Sequence, residues 1–216
     1  SSNETFTCKV FEPDRLKADQ GSNDKKNQCW YRQLMLFREV IILKELRHPT
    51  IVEFKGFNIY NDIIRYNQVE EEEEEEEDQD YTNPTMFLEY LENKSLQSII
   101  SEKKFSELSP VKRQICMIGL ASAVYFLHRK KILHRNLTPR TIWLDKDYYP
   151  KVFDFSSSRE NIMEQADSSK TNLSDKDIVV YQAPELLENL DYSFPVDTFA
   201  LGRLLYFFLT GYEPFN

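Results

Sequence analysis

No stretch limits what this chain can fold into more than Ile132–Asp154, which reads ILHRNLTPRTIWLDKDYYPKVFD. It sets His134-Arg135-Asn136-Leu137 ahead of Thr141 and, one hairpin later, Asp154-Phe155-Ser156. A helix leads into it. Ser109 is placed to cap that helix and Pro110 to occupy its first position. Cys116, Leu120, Ala123, Val124 and Leu127 recur along one face, as a helix buried on one side requires.

At 216 residues and 41% hydrophobic content, the chain can bury a sizeable core in one large domain or two lobes. The three cysteines, Cys8, Cys29 and Cys116, have no metal-ligand spacing, and their odd number argues against a disulfide framework. The expected setting is reducing and intracellular, with a cytoplasmic location. No basic segment followed by an apolar run opens the chain, so no signal peptide is expected. The longest apolar stretch, Phe199–Leu209, is interrupted by Arg203 and too short to span a bilayer.

The net charge of −9 is concentrated in one place. Eight consecutive glutamates from Glu70, with Asp78 and Asp80, carry ten negative charges; −9 + 10 leaves +1 for the rest. That remainder is not basic enough for a nucleic-acid groove. The acidic run repels itself, so residues 68–82 are expected to form a disordered surface insertion. A docking tail for a basic partner is the alternative.

The motifs resemble those of a eukaryotic protein kinase. That family runs His-Arg-Asp-Leu-x-x-x-x-Asn and then Asp-Phe-Gly. The segment FREVIILKELRHPTIVEFKGF resembles the family's helix C and following strand, within a helix expected over Tyr31–Arg47. Thr5–Phe11 resembles its third strand, Ile51–Tyr60 the next, and Thr85–Leu91 the strand into the hinge. Tyr181-Gln182-Ala183-Pro184-Glu185 matches the end of an activation segment, and Asp197–Leu209 the buried helix whose aspartate anchors the catalytic loop. The resemblance implies an α+β, bilobal fold. A partial small β-rich lobe spans 1–91 and a partial, mostly helical large lobe spans 92–216. Only eight residues precede Lys9, and no glycine-rich loop is present, so truncation at both ends is expected.

By the same resemblance, Lys9 and Glu39 form an ion pair that holds nucleotide phosphates, Glu89 and Leu91 belong to the hinge with Leu88 as gatekeeper, and Asp154 ligates magnesium. Other positions depart from the family. Asn136 replaces the catalytic aspartate, and its amide cannot accept a proton at physiological pH. Thr138 replaces the lysine that neutralises the γ-phosphate, and Thr141 the asparagine on the second metal. Ser156 replaces a glycine, and Ile178 a threonine near the substrate. Trp143 replaces a leucine and Thr7 an alanine, two positions that sandwich adenine. Trp143 is expected either to fill part of that slot or to turn into the core. Phe54, Leu43, Phe155 and His134 match the internal packing spine. Arg135 could hold a phosphate on the activation segment, where Ser168, Ser169, Thr171 and Ser174 are candidate acceptors.

The expected function is a pseudokinase acting on protein partners by binding or allostery, with no nucleic-acid or membrane partner. ATP and Mg2+ would serve as cofactors only if nucleotide binding survives. A weakly active Ser/Thr-type kinase and an incomplete fragment are the competing readings.

Overall fold

Alternating exposure along Phe6–Val10 (β1) and Thr85–Glu89 (β3) follows the two-residue period of strands, while a bulge between Phe54 and Gly56 breaks it in Phe54–Asn58 (β2). A computed structural model of the chain describes residues 5–10, 36–58, 84–102, 104–160, 179–188 and 191–214. The acidic run, the loop Asp14–Gln28, the first part of the expected helix Tyr31–Arg47, Cys29, Ile178 and the four candidate acceptors lie outside the described residues. The three strands form an antiparallel sheet in the order β1-β3-β2. Met86 and Leu88 of the central strand are fully buried. A helix over 36–44 (α1) covers one side and buries Leu36, Glu39, Ile42 and Leu43.

Sequence alone suggested a single strand over Ile51–Tyr60. The structure divides that segment. Ile51 forms a parallel bridge to Val152, while β2 begins at Phe54 and joins β3. Two backbone bonds fix the division: Val52 N–H donates to the Val152 carbonyl at 3.0 Å, and Val152 N–H to that of Thr50 at 2.8 Å. A non-local partner has captured the first residues of the segment, so they tie the sheet-bearing half to the helical half.

Leu96–Ser101 (α2) starts at the Ser95 cap, whose hydroxyl accepts from Ser98 N–H. Pro110–Arg129 (α3) starts at Ser109, capped through Lys112 N–H, with proline at the first position. Its buried residues are Cys116, Leu120, Ala123, Val124 and Leu127, the face expected from the sequence. Burial pushes the Cys116 thiol up to about 12, so it packs as an inert small hydrophobe. At Gly119 an added Cβ would lie 3.1 Å from the Pro150 ring and 3.2 Å from the Thr50 hydroxyl, so the glycine permits close approach there.

Beyond α3, Ile132–Leu133 (β4) pairs with Arg159–Glu160 (β7), and Ile142–Leu144 (β5) pairs with Pro150–Val152 (β6). A short helix, Pro184–Leu187 (α4), leads toward Pro195–Thr210 (α5), which ends on Gly211 at φ 76°. That left-handed residue returns its N–H to the Phe207 carbonyl at 2.8 Å, a glycine stop. One continuous core runs from Ile42, Leu43, Met86 and Leu88 through Leu120 and Phe155 to Leu204 and Phe208. A smaller cluster of Leu133, Ala183, Leu186 and Val196 seats α4 against the start of α5.

Candidate active site

Four non-glycine residues with positive φ occur among the described residues, and two of them, Arg135 (63°) and Asp154 (61°), lie toward the two ends of the segment 132–154. Such backbone is costly for side chains other than glycine and persists only where surrounding contacts hold it. Arg135 is held from below. Asp197, 1% exposed in the first turn of α5, accepts from His134 N–H at 2.9 Å and from Arg135 N–H at 2.8 Å. The His128 ring lies 3.0 Å from the same carboxylate. The loop therefore rests on a buried anion.

Asp154 is held from above. Lys9 Nζ on β1 lies 2.8 Å from Asp154 Oδ1 and 2.7 Å from Glu39 Oε2 on α1. The other Glu39 oxygen accepts from Phe155 N–H at 2.9 Å. The structure thus brings together Lys9, Glu39 and Asp154, which are separated by 30 and 145 residues from Lys9 in the chain. Burial opposes the charge on Lys9, but Asp154 and Glu39 outweigh it and raise its pKa above the usual value. At Asp154 burial works upward, while the Lys9 ammonium and the Ser156 hydroxyl work downward and leave the carboxyl below its usual range. Burial dominates at Glu39 and moves it upward despite Lys9. Both Glu39 oxygens nevertheless accept from nitrogen donors, an arrangement suited to the carboxylate form.

Ser156 does not carry a positive φ, so the residue that replaces glycine fits this conformation without backbone strain. His134 is fully buried, and its ring meets that of Phe155 edge-on at 4.7 Å. Burial pushes its pKa down, and Nδ1 accepts from Asn136 N–H at 3.3 Å, so the ring is a neutral packing element. Leu43 and Phe155 are equally buried, with Phe54 partly buried against the same core.

The loop's threonines have separate fates. Thr141 Oγ1 donates toward the Asn136 carbonyl at 2.7 Å, lies 3.1 Å from that of Thr138 and accepts from Thr138 N–H at 3.0 Å. Its hydroxyl is occupied in closing the loop. The Thr138 hydroxyl is buried without a hydrogen-bond partner among the described residues. Glu89 ends β3 and directs its side chain to Lys151 Nζ and Glu53 N–H, both at 2.8 Å from Oε1. Leu91 is buried in the core. Trp143 is half-buried and stacks on Phe153, with ring centroids 5.2 Å apart and planes at 26°.

Sequence reasoning missed the Glu89–Lys151 ion pair, the Phe153 partner of Trp143, and Tyr192, whose hydroxyl accepts from Arg135 Nη1 at 2.7 Å. The strand pairing of β5 with β6 could have suggested the Phe153 partner; nothing local signals the other two.

Asp154 offers a carboxylate with 31% side-chain exposure, while Thr141 has turned its only side-chain oxygen into the loop. Among the described residues, no group of three or more His, Cys, Asp or Glu could hold a metal ion. The side chains fit one metal–phosphate contact through Asp154 and do not fit a second metal on the catalytic loop. No helix among the described residues is long and apolar enough to cross a membrane.

The protein kinase domain model matches residues 3–216. The chain is 26% identical to the mitogen-activated protein kinase kinase kinase MST11 of Pyricularia oryzae, over 97% of this chain and 21% of that protein. It is 29% identical to a carbon catabolite-derepressing protein kinase of Secale cereale, over 84% of this chain and 34% of the relative. It is 36% identical to protein kinase C delta type of Rattus norvegicus, over 60% of this chain and 18% of the relative. The chain spans about a fifth to a third of the length of these relatives. With a small antiparallel sheet, a helical portion beneath it and a family match along almost its whole length, this chain belongs to the protein kinase domain family, whose members use ATP and Mg2+.

Proposed function

We propose that this domain is a pseudokinase: it keeps the kinase scaffold, transfers little or no phosphate, and acts by binding or allosteric contact with protein partners inside the cell. One observation carries the reading. The loop carries the amide of Asn136 where a carboxylate base would stand, and Thr141 spends its hydroxyl on the Asn136 and Thr138 carbonyls, so neither a base nor a second metal ligand is presented. Loss of a positioned base lowers the rate roughly 10²–10⁴-fold. Loss of charge neutralisation at Thr138 and Thr141 acts in the same direction, because phosphoryl transfer depends mainly on positioning and electrostatics.

A second reading, weak Ser/Thr-type kinase activity, is favoured by the Lys9–Glu39–Asp154 arrangement. When bound, ATP with magnesium would supply the phosphoryl group and its counter-charge. Lys9 would hold the phosphates, Glu39 would orient Lys9, Asp154 would hold the ion, and the backbone of Glu89–Leu91 would face the base. The discriminating experiment incubates the protein with γ-labelled ATP, magnesium and a general protein substrate, beside a Lys9→Met control. The pseudokinase reading expects equal, background incorporation. Incorporation above the control establishes the weak kinase instead.

A further inference from the structure

One row of the β5–β6 hairpin, Trp143 with Lys151 and Phe153, holds an unusual set of side chains, Phe153 belonging to the main core and Trp143 packing partly buried against it. Ile142 and Leu144 are buried and Trp143 between them points the other way. Trp143 pairs directly with Lys151, and Phe153 lies two residues beyond Lys151, on the same side. The Phe153 N–H continues the ladder to the Thr141 carbonyl at 2.8 Å.

This row lies between two landmarks. On one side, Lys151 Nζ reaches Glu89 Oε1 at the end of β3, at 2.8 Å. On the other, Phe153 is followed immediately by Asp154, which meets Lys9 at 2.8 Å. A flat ligand bridging the β3 end and the Lys9–Asp154 pair would have to lie over the hairpin position that Trp143 occupies. We propose that the Trp143 indole, backed by Phe153, fills that slot itself and excludes a purine base, so that the domain holds its closed ionic arrangement without nucleotide.

Two fixed points keep this wall from retreating. The Trp143 backbone is bridged to Ser95, the cap of α2, and its cross-strand neighbour is clamped to Glu89. Phe153 is 8% exposed and cannot swing aside without opening the core.

The inference rests on the reading of Lys9 and Asp154 as a nucleotide site and adds what controls entry to it. Its test is a thermal-shift titration of the full chain with ATP, with and without magnesium, with adenosine and with tripolyphosphate. The same series is run on Trp143→Leu and on Trp143→Phe, which keeps a stacking ring but removes volume. The wild type is expected to show no shift. Trp143→Leu is expected to gain about 3 °C with ATP and a smaller gain with adenosine, with Trp143→Phe between. A wild-type shift equal to that of the variants overturns the inference, as does absence of any gain in both folded variants. A gain with tripolyphosphate as large as with ATP also overturns it, because the base slot would then be irrelevant. Wild-type binding without phosphate transfer defeats this inference alone, whereas wild-type transfer defeats the pseudokinase reading.

Discussion

Thr138 and Thr141 sit three residues apart in one loop, and substitution should separate their roles. Thr141→Val removes a hydroxyl that closes the loop on two carbonyls and one N–H. Leaving those groups without a partner should cost about 1–3 kcal/mol in urea unfolding. Thr138→Val removes a buried hydroxyl that has no partner, so it should be neutral or stabilising by up to about 1 kcal/mol. Equal losses would contradict the assignment. His134 gives a pH prediction of definite sign. Its folded pKa is lowered by burial from the ordinary 6.5, so the unfolded chain takes up a proton that the folded chain refuses. Stability is therefore complete above pH 6.5 and declines as the pH falls below it. The melting temperature should drop between pH 7.5 and 5.5, and less steeply in His134→Phe. His48, also lowered by burial, accounts for part of the remaining slope. The identities of the loop residues were legible from the sequence alone. Their contacts were not, because Tyr192 approaches Arg135 across 57 residues of chain.

At the scale of elements, what is local was readable and what is paired across the chain was not. The cap at Ser109 and the buried face of α3 depend on neighbours within a turn or two, so sequence spacing predicts them. Ser109→Ala should accordingly cost about 1 kcal/mol in thermal or urea unfolding, and a change within error would remove the cap from the account. The segment Ile51–Tyr60 has strand composition throughout, but its first residues pair with β6 rather than β3. Composition carries no information about which partner a strand chooses. Trp143 lies between these cases. Strand alternation points it away from Ile142 and Leu144, yet the stack on Phe153 depends on hairpin register.

For the molecule as a whole, two buried anions organise the halves. Asp197 holds the catalytic loop on α5, and Glu39 holds Lys9 and the backbone at Phe155. Lys9→Met would leave Glu39, which is 0% exposed, without its cation, and should cost about 3 kcal/mol by chemical denaturation. The lower end of the range for broken buried pairs applies because the Lys9 side chain is itself 26% exposed. Glu39→Gln should cost less, since it removes the charge that Lys9 balances and keeps an acceptor for Phe155 N–H. The family and its general fold were legible because motif residues such as His134, Asp154 and Ala183-Pro184-Glu185 combine a recognisable order with structural roles. The activity was less legible, because it depends on what each hydroxyl and carboxylate faces. The most direct measurement is single-turnover phosphate transfer from γ-labelled ATP, comparing the wild type, Asp154→Ala, and the triple variant Asn136→Asp/Thr141→Asn/Trp143→Leu. The account predicts that the wild type matches Asp154→Ala at background while the triple variant transfers phosphate; wild-type transfer clearly above Asp154→Ala would contradict it.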